Sequence, residues 1–143
     1  MSMEELDIIL DKYSFSKRPT KSGKQFWEIE KQIGFQLPVD YKYFLKSYSA
    51  FEGSVGPEYL SLWNVEDVLE TNNNYEILKW LPNVIAIGSN MGGEFLGIEY
   101  MGQNSYRVVL SPFIGLEKQY HIEIGTSFLD MLIRLDNNVE WLQ

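Results

Sequence analysis

The chain has 143 residues, 45% hydrophobic and 15% aromatic, which is enough for one domain, residues 1–143, with a full core. It has no cysteine, which excludes disulfides and thiolate zinc sites, and no apolar run approaches the ~18 residues a membrane span needs. The net charge of −8 is unevenly spread: residues 1–51 hold eight Lys/Arg against seven Asp/Glu, and residues 52–143 hold four against thirteen, a poor surface for nucleic acid because phosphate binding needs cations.

The opening "MSMEELDIIL" is acidic and amphipathic, unlike a signal peptide, and points to a cytoplasmic protein. Ser2 and Glu5 have capping-box spacing, and Leu6, Ile9, Leu10 and Tyr13 recur at helical spacing. "SFSKRPTKSGK" is a basic loop. A second helix is predicted from Lys24 to Ile33, with Phe26, Ile29 or Glu30, and Ile33 on its apolar side and Gly34 closing it. A third follows, with Pro38 at its first position, Asp40 in its first turn and Tyr41, Phe44, Leu45 and Tyr48 as its buried stripe.

The character changes at "FEGSVGPEYLSLW", where glycines and a proline end the helical region and "YLSLW" reads as a short strand. Asn64 suits the cap of a helix starting at Val65, with Asp67 at its third position, and "TNNN" ends it. "NVIAIG", "EFLGIEY" and "SYRVVL" read as strands separated by "SNMGG" and "MGQN", and "QYHIEIG" as another. Ser127 and Asp130 cap a final helix carrying Phe128, Leu129, Leu132, Ile133 and Leu135. Residues 2–48 are thus mainly helical and 59–124 mainly strand, with one helix near 65–72. The segregation predicts an α+β domain: N-terminal helices, a curved, mostly antiparallel or mixed sheet of about five to six strands, and flanking helices including a C-terminal one.

Three patterns invite a chemical reading. "GSNMGGE" lacks the lysine and following helix of a phosphate loop, and Glu94 would repel phosphate. Ser89 has no nucleophile-elbow motif and no base beside it in sequence. The stretch reads instead as a tight turn between strands, with Gly92 and Gly93 taking positive φ. His121 is the only histidine, so a histidine-rich metal site is impossible; it is expected on a strand. Trp27, Trp63, Trp80 and Trp141 are expected in core or satellite packing. No catalytic residue, metal ligand or cofactor is expected.

Several stretches together resemble the SUKH superfamily, the Smi/Knr-like proteins. "FWEIEKQIGFQLPVDYKYFLKSYSAFEG" resembles its opening through Glu30, Ile33, Gly34, Leu37, Pro38, Tyr41, Phe44 and Leu45. "YLSLWNVEDVLETNNNY" resembles its Leu-Trp strand and following helix at Leu62, Trp63 and Val68, and "IAIGSNMGGEFLGIEY" its glycine turn at Ile87, Gly88, Gly92 and Gly93. "IGTSFLDMLIRL" resembles its closing helix. Where many relatives carry Asn-Gly-Gly after the aromatic helix, this chain has "SAFEG".

The resemblance implies a non-enzymatic binding domain with a curved sheet. It implies an immunity protein of the bacterial type, one that binds and neutralises a cognate polymorphic-toxin domain, often a nuclease; the alternative is a regulatory or scaffold protein with an endogenous partner. A basic toxin surface would be met by carboxylates. From Glu52 to Glu76 there are six acidic side chains and no basic one, so Glu52, Glu58, Glu66, Asp67, Glu70 and Glu76 are the candidate partner-binding residues. Glu94 beside the glycine turn is a seventh, and Tyr59 and Tyr75 are candidate contacts at the rim or as anchors.

Overall fold

The computed structural model describes residues 3–20 and 24–142. Three helices, α1 (Glu4–Lys12), α2 (Lys24–Ile33) and α3 (Val39–Ser47), precede a hairpin of β1 (Phe51–Val55) and β2 (Glu58–Leu62). Next come α4 (Val65–Asn74) and the one-turn α5 (Ile77–Trp80), then β3 (Val84–Ser89), β4 (Glu94–Tyr100) and β5 (Tyr106–Pro112). A 3₁₀ turn at Lys118–Tyr120, β6 (Ile122–Gly125) and α6 (Phe128–Asp136) complete the chain. All six strands pair antiparallel in chain order, β1 to β6, forming a curled half-barrel.

The helical region follows its apolar spacing. Leu6, Ile9 and Leu10 of α1 are buried, as are Tyr41, Phe44, Leu45 and Tyr48 of the α3 stripe. Gly34 closes α2 at φ 83°, the left-handed geometry glycine adopts without a Cβ penalty. Met3 occupies the N-cap position of α1; the expected Ser2 cap lies outside the described residues. Pro38 stands one residue earlier than expected, as the extended N-cap of α3 (ψ 147°), because the helical angles begin at Val39.

The sheet contains a strand that composition concealed. "FEGSV" pairs along its whole length with β2, from Phe51↔Leu62 to Val55↔Glu58. The two-residue link is Gly56-Pro57, and Gly56 is required twice over: its φ is +57°, and a Cβ there would lie 1.9 Å from the Leu135 carbonyl oxygen of α6. Asn64 does occupy the N-cap position of α4, but its side chain does not cap the helix; Oδ1 accepts the Ala50 N–H at 2.7 Å, tying the end of α3 to the start of α4. Ser127 caps α6 as expected, accepting the Asp130 N–H at 2.9 Å.

The sheet has two unequal faces. On the first, Ile85 and Ile87 of β3, Leu96 and Ile98 of β4, and Val108 and Leu110 of β5 join the large core beneath α1, α2, α3 and α6. On the second, Val84, Ala86 and Phe95 form a smaller cluster with Ile77 and Leu81 of α5 and its exit, with Trp63, Phe113 and Leu116 partly buried around them. No helix among the described residues is long and apolar enough to cross a membrane.

A buried amide joins the faces. Beyond Leu62, β2 turns away from β3 and leaves the Ala86 N–H and C=O without a strand partner. Asn72 of α4, fully buried, replaces that partner: its Oδ1 accepts the Ala86 N–H and its Nδ2 donates to the Ala86 carbonyl, both at 2.8 Å. "TNNN" is therefore the last turn of α4 and its anchor to the sheet.

Candidate protein-binding surface

The helix α4 is amphipathic: Val65, Val68 and Asn72 face inward, while Glu66, Asp67 and Glu70 are exposed. Glu66 and Glu70 line a groove of about 350 Å³ between α4 and α2, with Glu28 contributing a third carboxylate and Ile29, Val65 and Leu69 an apolar floor. A second, adjoining depression shares Glu28 and Leu69 and is walled by Trp27. Trp27 is 66% exposed and Trp80 59%, so neither joins the core or the smaller cluster as expected; Trp63 and Trp141 do lie against the main cluster. Trp27 falls one residue off the Phe26–Ile29–Ile33 stripe, which is the signal that would have placed it outside.

Glu66 is not free. Both of its carboxylate oxygens accept from the Arg18 guanidinium, one of them at 3.2 Å, and this pairing holds the Glu66 carboxyl below its ordinary range. Arg18 comes from the basic loop before α2, outside the window in which the acidic run contains no cation.

The other candidate residues have separate placements. Glu52 is exposed on β1, and its Oε2 accepts the Tyr59 hydroxyl at 2.7 Å from β2. Glu58 is half-buried and accepts the Trp141 N–H at 2.9 Å, so it fastens the segment after α6 to the hairpin. Glu76 lies in the link between α4 and α5 with a left-handed backbone (φ 55°) and is paired with Lys79 at 3.2 Å. Tyr75 is 49% exposed, and its ring lies on Phe113 at 4.4 Å between centroids.

The stretch from Ile85 to Tyr100 is a hairpin turn. Asn90 organises it: its backbone N–H donates to the Glu94 carbonyl at 3.0 Å, its Oδ1 accepts the Gly92 N–H at 2.8 Å, and its Nδ2 donates to Glu94 Oε1 at 3.0 Å. Positive φ falls on Met91 (61°) and Gly93 (94°), not on Gly92 as expected, because the Asn90 side chain fixes the position of the Gly92 amide. Ser89 is buried and its hydroxyl meets only Met91, accepting its N–H at 3.3 Å and donating to its sulfur at 3.4 Å.

His121 sits just before β6, as the cap of the 3₁₀ turn, and not on the strand as expected. Neither ring nitrogen has a hydrogen-bond partner among the described residues. Burial holds its pKa below 6.5, Arg107 and Lys118 push in the same direction, and Glu99 opposes them. Glu99 is itself buried. Burial raises its pKa, but Arg107 at 2.6 Å and Lys118 at 3.3 Å outweigh this and hold it below the usual carboxylate range.

With fold and surface described, the chain can be placed among known proteins. The model of the SMI1 / KNR4 family (SUKH-1) matches residues 22–134, and the chain belongs to that family. It is also similar to the uncharacterized protein YnaB of Bacillus subtilis (strain 168), with 25% identity over 131 residues covering 90% of this chain and 87% of that protein. The family includes immunity proteins against toxins.

Proposed function

We propose that the chain is an immunity protein that binds and neutralises a cognate polymorphic-toxin domain, a nuclease, in the cytoplasm and without catalysis. The observation that carries this reading is family membership over residues 22–134, in a chain whose residues from Glu52 to Glu76 include no basic side chain. A nuclease must present cations to phosphate, and a carboxylate face competes for those cations. Of the exposed carboxylates of α4, Asp67 and Glu70 attract such a surface from a distance and Glu66 shares its charge with Arg18, with Glu52 and Glu94 as further contacts and Glu58 and Glu76, held by the Trp141 amide and Lys79, at the margin. Long-range attraction of this kind raises association rates and is screened within ~10 Å at 0.1 M salt.

The test begins with the toxin domain encoded beside this chain's gene, co-expressed and co-purified with it. Replacing Glu66, Asp67 and Glu70 together with Lys is expected to slow association about tenfold at low salt and less at physiological ionic strength. The fold should survive, since surface substitutions usually shift stability by about 0.5 kcal/mol or less each. Association that ignores both salt and the triple substitution would remove α4 from the interface. Absence of any complex with a neighbouring toxin, alongside co-purification of an endogenous regulator, would replace the immunity reading.

A further inference from the structure

The second face of the sheet carries an apolar surface that its thin cover does not use. Phe95, fully buried in the smaller core, lies 5.3 Å from Phe113 between ring centroids, and Phe113 lies 4.4 Å from Tyr75. Three aromatic rings thus lead from the core to the surface. The Phe113 N–H donates to the Gly93 carbonyl at 3.1 Å, which brings the β3–β4 turn against the same point. Ile114, 91% exposed, follows Phe113 directly, and Met91, 61% exposed, stands two residues before Gly93 in that turn. Isolated apolar side chains on a surface are ordinary, but an aromatic chain continued by exposed Ile and Met from three separate segments is a patch.

The charges at its border are anionic. Glu76 adjoins Tyr75, Glu94 closes the turn that carries Met91, and Glu117 follows the Phe113–Ile114 loop. Lys79 pairs with Glu76 and Lys118 with Glu99, which leaves Glu94 and Glu117 as the border carboxylates without an ion pair among the described residues.

We propose that the patch formed by Tyr75, Met91, Phe113 and Ile114 is the anchoring surface for a cationic amphipathic segment of a partner protein, whose apolar side chains cover Ile114 and Met91 while its Lys or Arg side chains meet Glu94 and Glu117. This deepens the reading of the chain as a protein-binding domain. The two surfaces divide the work of one interface: the carboxylates of α4 govern how fast the partner arrives, and the aromatic patch, reached directly from the end of α4 at Tyr75, governs how long it stays.

The experiment uses the isotope-labelled full chain and three synthetic peptides of equal length: one of leucine and lysine with an amphipathic pattern, one with glutamate in place of lysine, and one with glycine in place of leucine. Amide shifts are expected at Tyr75, Met91 and Ile114 with the leucine–lysine peptide, and affinities at least about tenfold weaker for the other two. Ile114→Asp should weaken the leucine–lysine peptide about tenfold or more without changing the fold, since the side chain makes no core contact. Shifts confined to the α2–α4 groove, equal binding of the glycine–lysine peptide, no binding at all, or an Ile114→Asp variant with unchanged affinity would each overturn the proposal. So would concentration-dependent self-association in sedimentation that Ile114→Asp abolishes, because the patch would then serve a second copy of this chain. No toxin enters the measurement, so its outcome is independent of whether a neighbouring gene supplies one.

Discussion

The two faces of the sheet are made from alternate residues of the same strands, yet they are built for different ends. Ile85 and Ile87 face the large core that α1, α2, α3 and α6 cover; Val84 and Ala86, their immediate neighbours in sequence, face a small cluster closed by α5 and its exit, with the last turn of α4 bonded to Ala86 through Asn72. The thick face holds the large apolar side chains, among them Phe44, Phe128, Tyr41 and Tyr48, with aromatic contacts such as Phe44–Phe128 at 5.2 Å. The thin face holds a small core, a charged cross-strand pair, Glu99 and Arg107, and exposed Tyr75, Trp80, Met91 and Ile114. Where the stability of a domain can be concentrated on one side of a sheet, the other side is free to carry residues that stability alone would not select.

Truncation of the core tests that division most severely. Phe128→Ala on the thick face is expected to cost about 4 kcal/mol, and Ile77→Ala on the thin face about 2 kcal/mol, where the short α5 can settle into the space left behind. Guanidinium unfolding of the two variants measures both, and equal costs would dissolve the distinction. Asn72→Leu, which keeps the volume but strands the Ala86 N–H and C=O, is expected to cost about 2–3 kcal/mol, with hydrogen exchange accelerating first at β3. A loss below about 0.5 kcal/mol would show that water replaces the amide at no cost.

The thin face should also respond to acid. His121 has a folded pKa below its unfolded value, so its contribution is present above about pH 6.5 and is lost as pH falls through that value toward the folded one. Glu99, also depressed in the folded state, adds stability above about pH 4.5 that is lost on further acidification. Unfolding midpoints of His121→Gln and Glu99→Gln across pH should flatten the first and second of these slopes respectively. An unchanged profile in both would mean that the thick face controls the acid response. The smallest effect is expected at Arg18→Ala: a surface pair contributes about 0.2–1 kcal/mol, and the loss should fade in high salt, while the Glu66 carboxyl, read by NMR titration, moves back up toward its ordinary value.

The thick face was largely legible in the sequence, because both of its signals are periodic. The stripe Tyr41, Phe44, Leu45 and Tyr48 and the runs "NVIAIG" and "SYRVVL" repeat at the helical and strand periods, and all form the expected elements. The family opening at Gly34, Leu37 and Pro38 marks the correct turn to within one residue. The parts that were not legible depend on partners remote in sequence. "FEGSV" has little strand propensity and becomes β1 only through its pairing with β2 and the Gly56 approach to Leu135. Asn64 and Asn72 were readable as helix-end residues, but their amides are taken by backbone groups of Ala50 and Ala86. The acidic run was visible as composition; that Arg18 neutralises Glu66 and that Glu58 holds the Trp141 amide are consequences of folding.

The position of α6 has one more consequence. The strands pair in chain order, so each hairpin can close as soon as its second strand exists. The core cannot close in the same way, because α6 touches α1, α3, β1, β5 and β6, and Asp136 at its end bonds Lys12 and Tyr13 of α1, both at 2.7 Å. During synthesis the sheet can be assembled strand by strand against α1, α2 and α3, with the part of its thick face that α6 covers left open until residues 128–136 emerge. Closure of the core is then a late step that brings together segments more than 120 residues apart, and a chain caught before it exposes apolar surface that favours aggregation.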